Sequence, residues 1–179
     1  AVMLSERIAT SFVDGTAALR AAPGVRTLVA PDAGPSGTGT AAPAATPVLL
    51  ETDVRALAGH VLEECFGPVL VVVRYARAEE LFTALRTLDP ALTATVHSAE
   101  VDDLAGPLLD VVADVAGRVV WNGYPTGVAV AWAMHHGGPY PSATNALHTS
   151  VGATAIRRWL RPVSYQDVPD ALLPDELRD

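Results

Sequence analysis

Lysine is absent from this chain, so all 12 of its basic residues are arginines. The arginines are scattered among 20 acidic residues, and the formal net charge is −8 at pH 7. Nucleic acids and anionic membrane surfaces attract clustered positive charge, and this pattern offers none. We therefore expect neither a nucleic acid nor a membrane surface as a partner.

Long apolar runs are also missing. No run approaches the roughly 20 residues that span a bilayer, and residues 1–6 lack the basic start and long apolar segment of a secretory leader. Cysteine is scarce as well, because Cys65 is the only one and an intrachain disulfide is excluded. A lone cysteine suits a cytosolic enzyme, and we predict a cytoplasmic protein.

Common ligand-binding patterns are absent too. Adjacent His135 and His136 point apart on a helix or strand, and together with His148 they lack metal-ligand spacing, so we predict no metal site. No G-x-G-x-x-G fingerprint follows a strand, so we predict no dinucleotide-binding fold within the chain. Gly34–Gly39 lacks the lysine of a phosphate loop, and it belongs to the Gly-, Ala- and Pro-rich stretch 31–47. We predict a flexible surface loop over that stretch.

What the chain does have is an alternation of two apolar patterns, in which half of all residues are hydrophobic. Strand-like runs occur at 25–30, 48–50, 69–73, 92–96 and 117–122. Helical spacing occurs at 5–22, 79–88, 101–115 and about 150–160, and Gly106-Pro107 should kink or divide the third of these helices. Strands that alternate with helices imply crossover connections. We therefore predict an α/β fold with a largely parallel sheet and helices on both of its faces.

A polar turn stands directly before one of the apolar runs. Glu63-Glu64-Cys65-Phe66-Gly67-Pro68 precedes Val69–Val73, and a site at such a strand end and a solvated acidic turn are both consistent with the local sequence. Because side chains alternate in an extended segment, only one of the two glutamates can face a given pocket. Cys65 is a candidate nucleophile as the single thiol, but beside an apolar run a buried, inert thiol is commoner.

The turn resembles the E-E-x-F-G-P signature of the aldehyde dehydrogenase superfamily. Further segments resemble, in order, the C-terminal part of its 2,5-dioxopentanoate (α-ketoglutarate semialdehyde) dehydrogenase branch. These segments are Trp121–Gly127, His136–Pro141, Thr149–Gly152 and Arg161–Pro174. The resemblance is specific from about Glu51 onward and covers nearly the whole chain. It implies that residues 1–179 are the C-terminal portion of an aldehyde dehydrogenase catalytic domain.

The resemblance also implies roles for particular residues. The second glutamate of the signature binds the nicotinamide ribose and the phenylalanine packs near the nicotinamide, which gives cofactor-binding roles to Glu64 and Phe66. Cys65 matches the variable position, so the resemblance rejects it as the nucleophile. The residues that match the substrate-entrance loop are Tyr124, Pro125 and Thr126, and those that match its supporting frame are Asn122, Gly137 and Gly138. The usual P-F-G-G-x-K-x-S-G motif is represented by His135–Pro141 without its lysine.

The resemblance puts the nucleophilic cysteine, the general-base glutamate and the cofactor-binding domain upstream of residue 1, so it implies no catalytic residue in this chain. Our first hypothesis is a fragment of an NAD- or NADP-dependent oxidoreductase that oxidises an aldehyde such as 2,5-dioxopentanoate to a carboxylate. We expect the isolated chain to be inactive and to bind neither cofactor. The alternative is a free-standing, non-catalytic α/β module that associates with itself as a homo-oligomer or with a full-length relative.

Overall fold

The structure, a computed structural model, describes residues 2–30, 44–99 and 102–178. Residues 31–43 of the predicted loop, with Gly34–Gly39, lie outside the described residues, as does Val101 of the third predicted helix. The helices are α1 (Glu6–Ala21), α2 (Ala78–Thr87) and α3 (Ala105–Val115). The strands are β1 (Arg26–Val29), β2 (Val48–Asp53), β3 (Val69–Arg74), β4 (Ala91–Val96) and β5 (Ala116–Trp121). Every predicted strand is confirmed, and so are the first three predicted helices.

The strands are arranged in two sheets. In the first, β2 lies between β1 and β3, antiparallel to β1 and parallel to β3. In the second, β4 and β5 pair in parallel, with Val96 beside Trp121. The α/β class with parallel pairing is confirmed, and the parallel pairs belong to two sheets. None of the helices in the described ranges is long and apolar enough to cross a membrane.

The first sheet is covered by α1. Ser5 caps this helix by accepting a hydrogen bond from the Ile8 amide, and Phe12 and Leu19 are buried on the helical face that meets the fully buried Leu50 of β2. β3 joins this core through alternate side chains only, since Leu70 on its other face is 62% exposed. A continuous apolar run such as Val69–Val73 predicts a strand that is buried on both faces. That prediction is wrong for one face of β3, because no described element covers it.

Two sequence predictions about helices need correction. Pro107 is the third residue of α3, where the backbone N–H has no partner within the helix, so the proline neither kinks nor divides it. The predicted helix near 150–160 forms as a 3-10 helix at Ala153–Trp159. None of its residues is buried, and without a packed apolar face an α-helix gains little stability. Further 3-10 helices occur at Val54–Ala56, Gly59–Leu62, Asp170–Leu172 and Asp175–Leu177.

A carboxylate in β2 links all three strands of the first sheet. Glu51 accepts hydrogen bonds from Arg26 Nη2 of β1 at 2.7 Å and from Arg74 Nε of β3 at 2.5 Å. Its side chain is only 11% exposed, whereas both arginines are largely exposed. The hydrogen bonds from Arg26 and Arg74 hold the pKa of Glu51 below its ordinary value. The charge of Glu51 is thus part of what joins the outer strands to the central one.

We expect Glu51→Gln to lower the midpoint of thermal unfolding at about pH 7, because both arginines lose their anionic partner. A lowered pKa in the folded state means that the stabilisation is present above the pKa of the unfolded chain. It is lost as the pH falls through the folded value, so the difference from the unchanged protein should shrink towards about pH 3.

The matched control is Glu176→Gln, because Glu176 is exposed and makes no ion pair within the described part of the chain. The control should leave the midpoint unchanged. A Glu51→Gln deficit of equal size at about pH 7 and about pH 3 would contradict the assignment.

Candidate functional site

Glu64 and Phe66 line an open cleft of about 470 Å³ at the amino end of β3. This volume lies within the roughly 300–1,000 Å³ that small-molecule sites occupy. Glu64 is exposed and the Phe66 side chain is 62% exposed, so a ligand in the cleft could reach both. The cleft is otherwise lined by Val2, Met3, Leu4, Ile8, Cys65 and Gly67. It therefore combines one carboxylate and one aromatic ring with a mainly apolar wall.

The turn that carries Glu64 and Phe66 is held against α1 by two close contacts. Gly67 has a φ of 152°, and a Cβ atom there would overlap the ring of Phe12 in α1. A Cβ atom on Gly15 of α1 would lie 2.8 Å from the Cys65 sulfur. Gly15 of α1 thus makes room for Cys65 of the turn, and Gly67 of the turn makes room for Phe12 of α1. Because Glu64 and Phe66 flank Cys65, this packing sets where they stand in the cleft.

Cys65 has the surroundings of a packing residue. Its sulfur lies 4.0 Å from the carbonyl oxygen of Phe12, and burial raises the pKa of the Cys65 thiol. A raised pKa reduces the thiolate fraction at neutral pH, and the thiolate is the nucleophilic form. A thiol in these surroundings is a weak nucleophile at neutral pH.

The predicted substrate-entrance loop follows β5 at the carboxyl end of the second sheet. Tyr124, Pro125 and Thr126 are all exposed, and the Tyr124 ring meets the His97 ring edge-on with 6.5 Å between centroids. His97 follows β4, and the carboxyl ends of parallel strands lie at the same edge, which is where α/β folds commonly bind ligands. The loop therefore has a suitable position for a substrate-contacting role.

Asn122, for which a supporting role is predicted, is tied to the connection that follows β4 at the base of this loop. Its side-chain oxygen accepts a hydrogen bond from the Ser98 amide at 2.8 Å, and its side-chain nitrogen donates to the Ser98 carbonyl at 2.6 Å. Its own amide donates to Val96 at 2.9 Å. These bonds join the connections that follow β4 and β5.

Arg118 is a contact residue that the sequence analysis missed. From β5 it donates through Nη1 to the Gly127 carbonyl at 2.8 Å and through Nη2 to the Pro125 carbonyl at 2.6 Å. An arginine within the otherwise apolar strand 117–121 was the available signal. The carbonyls that it binds are backbone groups, which every residue has, so no residue type indicates its partners.

Gly137 and Gly138 are buried at the opposite end of the second sheet. The Gly137 carbonyl packs closely on Gly117, so a Cβ atom on Gly117 would overlap that carbonyl. A Cβ atom on Gly138 would lie 2.9 Å from the Ala91 carbonyl. Ala91 and Gly117 lie at the starts of β4 and β5. Any support that these glycines give to Tyr124–Thr126 therefore passes through β5.

The predicted site residues fall into two regions, because Tyr124, Pro125 and Thr126 are not among the residues that line the cleft. Met3 and Ile8, which form part of the cleft wall, are not predicted from the sequence as site residues. Within the described residues, no group of three or more histidine, cysteine, aspartate and glutamate side chains could hold a metal ion. His136 instead donates through its backbone amide to the buried Thr149 hydroxyl at 2.8 Å.

Solved structures share this architecture. An indole-3-acetaldehyde dehydrogenase mutant of P. syringae, in complex with NAD⁺ and IAA, matches with a TM-score of 0.70 at 22% identity, over 88% of this chain and 29% of that one. Lactaldehyde dehydrogenase of Escherichia coli matches with a TM-score of 0.69 at 20% identity, over 90% of this chain and 31% of that one. This chain therefore has the fold of about 30% of each of these larger α/β structures.

Relatives identified by sequence show the family to which the chain belongs. Alpha-ketoglutaric semialdehyde dehydrogenase 2 of Azospirillum brasilense is 43% identical over 99% of this chain and 34% of its own length. Alpha-ketoglutaric semialdehyde dehydrogenase of Acinetobacter baylyi is 46% identical over 65% of this chain and 22% of its own length. The aldehyde dehydrogenase family model matches residues 32–162, and the chain belongs to that family. It spans about a third or less of these relatives.

We expect Gly67→Ala to destabilise the chain by about 1–3 kcal/mol beyond the strain of its positive φ, because the added methyl group overlaps the Phe12 ring. Gly59→Ala is the matched control, since Gly59 also has a positive φ but has no atom within 4 Å of the added Cβ. The control should cost only about 1 kcal/mol from backbone strain. Urea unfolding measures the free energy of unfolding of both variants. Equal losses in the two variants would contradict the packing contact between Gly67 and Phe12.

The reaction of Cys65 with a disulfide reagent should be slow at neutral pH. Its rate should still be rising where an ordinary thiol has levelled off, because burial raises the pKa of Cys65. The control is the same chain unfolded in urea, in which the thiol is exposed and titrates near its ordinary value of about 8.5. If the reaction rate of the folded chain levels off at the same pH as that of the unfolded chain, or at a lower pH, the effect of burial on Cys65 is contradicted.

Proposed function

We propose that this chain forms the C-terminal part of the catalytic unit of an NAD- or NADP-dependent aldehyde dehydrogenase in the cytoplasm. The substrate that we assign is α-ketoglutaric semialdehyde (2,5-dioxopentanoate), which is oxidised to the carboxylate. The observation that carries this proposal is the 43% identity to the Azospirillum brasilense relative over 99% of the chain. The only cysteine has the surroundings of a packing residue, so the proposal takes the nucleophile from outside these residues.

The cleft suits the nicotinamide-ribose half of the cofactor. The Glu64 carboxylate is exposed and can accept hydrogen bonds from two ribose hydroxyls, which would fix the tilt of the ring. The exposed Phe66 ring offers an apolar wall for the nicotinamide, and the apolar residues around it extend that wall. When bound, NAD or NADP supplies the hydride acceptor. The residues of this chain contribute its orientation.

The Tyr124–Thr126 loop is our candidate for contacting the aldehyde. Its side chains are exposed while its backbone is tied to β5 through Arg118 and to the end of β4 through Asn122. A substrate-contacting segment benefits from this combination, because a fixed backbone reduces the entropy that is lost when a ligand binds.

The first test uses the native protein, purified from its own cells with an antibody raised against this chain. We expect a species much heavier than 18.6 kDa that reduces NAD or NADP when α-ketoglutaric semialdehyde is added. The isolated 179-residue chain should show no turnover. Robust turnover by the isolated chain would contradict the fragment hypothesis, and a heavy species without aldehyde oxidation would contradict the assigned activity.

The cofactor role is tested by Glu64→Gln in the native protein. We expect the KM for the nicotinamide cofactor to rise about tenfold, which is the effect of losing about 1.4 kcal/mol of charge-assisted hydrogen bonding. Glu63→Gln is the matched control, because Glu63 is adjacent but does not line the cleft. Equal effects of the two substitutions would contradict a specific role for Glu64.

A free-standing module that associates with itself or with a full-length relative is the second candidate. Exposed large apolar side chains favour it, since Trp132 and Trp159 are each 76% exposed and Leu147 is 88% exposed. A native species near 18.6 kDa that forms larger assemblies in light scattering would support this candidate. A monodisperse monomer with little dye-binding apolar surface would count against it.

A further inference from the structure

Arg118 joins strand β5 to the loop that follows it. Its two terminal nitrogens donate to the carbonyls of Pro125 and Gly127 at 2.6 and 2.8 Å, on either side of Thr126. The third nitrogen, Nε, is buried and has no hydrogen-bond partner within the described residues. The guanidinium group therefore bridges two points of the loop backbone from the strand below it.

This bridge complements the anchor at Asn122. Asn122 fixes the base of the loop, because its side-chain amide makes both hydrogen bonds to Ser98. Arg118 fixes the far end, where the exposed chain turns at Gly127 with a φ of 74°. Between these anchors lie Tyr124, Pro125 and Thr126, whose exposed side chains would otherwise depend on a backbone free to move in solvent.

We propose that Arg118 is a positioning residue that holds Tyr124, Pro125 and Thr126 in the arrangement that receives the aldehyde. It sets the affinity for the aldehyde through the loop, without touching the substrate. This inference rests on the proposed function, because it takes the loop as the aldehyde-contacting segment. It goes beyond that function by assigning the origin of the loop's shape to one side chain.

Arginine is suited to this task in a way that lysine is not. Its planar guanidinium group presents several donors in a fixed fork and can bridge two carbonyl oxygens at once. An ammonium group is compact and sits on a flexible stem, so it would hold two carbonyls with a less defined geometry. Arg118→Lys should therefore restore part of what a residue without donors loses.

The kinetic test places variants in the native protein. We expect Arg118→Met to raise the KM for the aldehyde about tenfold, with kcat within about twofold and the KM for the nicotinamide cofactor unchanged. Arg118→Lys should lie between Arg118→Met and the unchanged protein. Arg86→Met is the matched control, because Arg86 in α2 is exposed and makes no hydrogen bond within the described ranges. The control should leave all three constants unchanged.

Gly127→Ala approaches the same loop without altering Arg118. A Cβ atom at this position meets nothing within 4 Å, so the substitution acts through the positive φ alone. It should also raise the KM for the aldehyde and leave that for the cofactor unchanged. This variant and Arg118→Lys keep the inference testable if Arg118→Met does not fold.

Nuclear magnetic resonance of the 179-residue chain gives a second, direct readout. The edge-on contact between Tyr124 and His97 should give a cross-relaxation signal in the unchanged chain and in Arg86→Met. We expect Arg118→Met to weaken this signal strongly and Arg118→Lys to restore part of it. An undiminished signal in folded Arg118→Met would overturn the positioning role of Arg118.

The failures of the two proposals are distinguishable. If the unchanged native protein does not oxidise the aldehyde, the proposed function and the substrate role of Arg118 are both overturned. If it oxidises the aldehyde but Arg118→Met and Gly127→Ala leave its KM unchanged, only the role of Arg118 is overturned. A fall in kcat together with an equal change in the cofactor KM would indicate general damage to the fold and would also overturn the positioning role.

Discussion

The contact between the Phe12 ring and Gly67 is the constraint on which the first sheet and the cleft depend. Phe12 is one of the side chains through which α1 covers the core around Leu50, and the same ring occupies the space that a Cβ atom on Gly67 would need. The helix therefore cannot shift on the sheet without moving the turn before β3. Because that turn carries Glu64 and Phe66, the packing of the core and the shape of the cleft are set by the same contact.

Local features of the fold could be predicted from the sequence because their causes are local. The Ser5 cap of α1 and the strand at Val69–Arg74 follow from residue type and apolar spacing over a few positions. The effect of Pro107 could not be predicted, since it depends on how far the proline lies from the first residue of α3. The exposed face of β3 was also beyond prediction, because burial depends on which distant segment covers a strand.

The candidate site could likewise be predicted only in part from the sequence. Resemblance identified Glu64 and Phe66, and the structure adds a cleft whose wall includes Met3 and Ile8 from more than 50 residues away. Nothing in the sequence near Met3 indicates this proximity. The contacts of Arg118 were hidden for another reason. Its acceptors are main-chain carbonyls, which every residue has, so no pattern of side chains could reveal them.

In the function that we propose, each of the two candidate regions forms half of a binding site. The cleft beside Glu64 is open, and the loop at Tyr124 presents exposed side chains with no facing wall among the described residues. Hydride transfer needs an environment that limits the access of water, which one wall cannot provide. The exposed Trp132 and Trp159 indicate a similar incompleteness, because large apolar side chains gain stability only when a second surface covers them. The open cleft, the exposed loop and the uncovered tryptophans are all accounted for if, as we propose, this chain packs against a further protein surface.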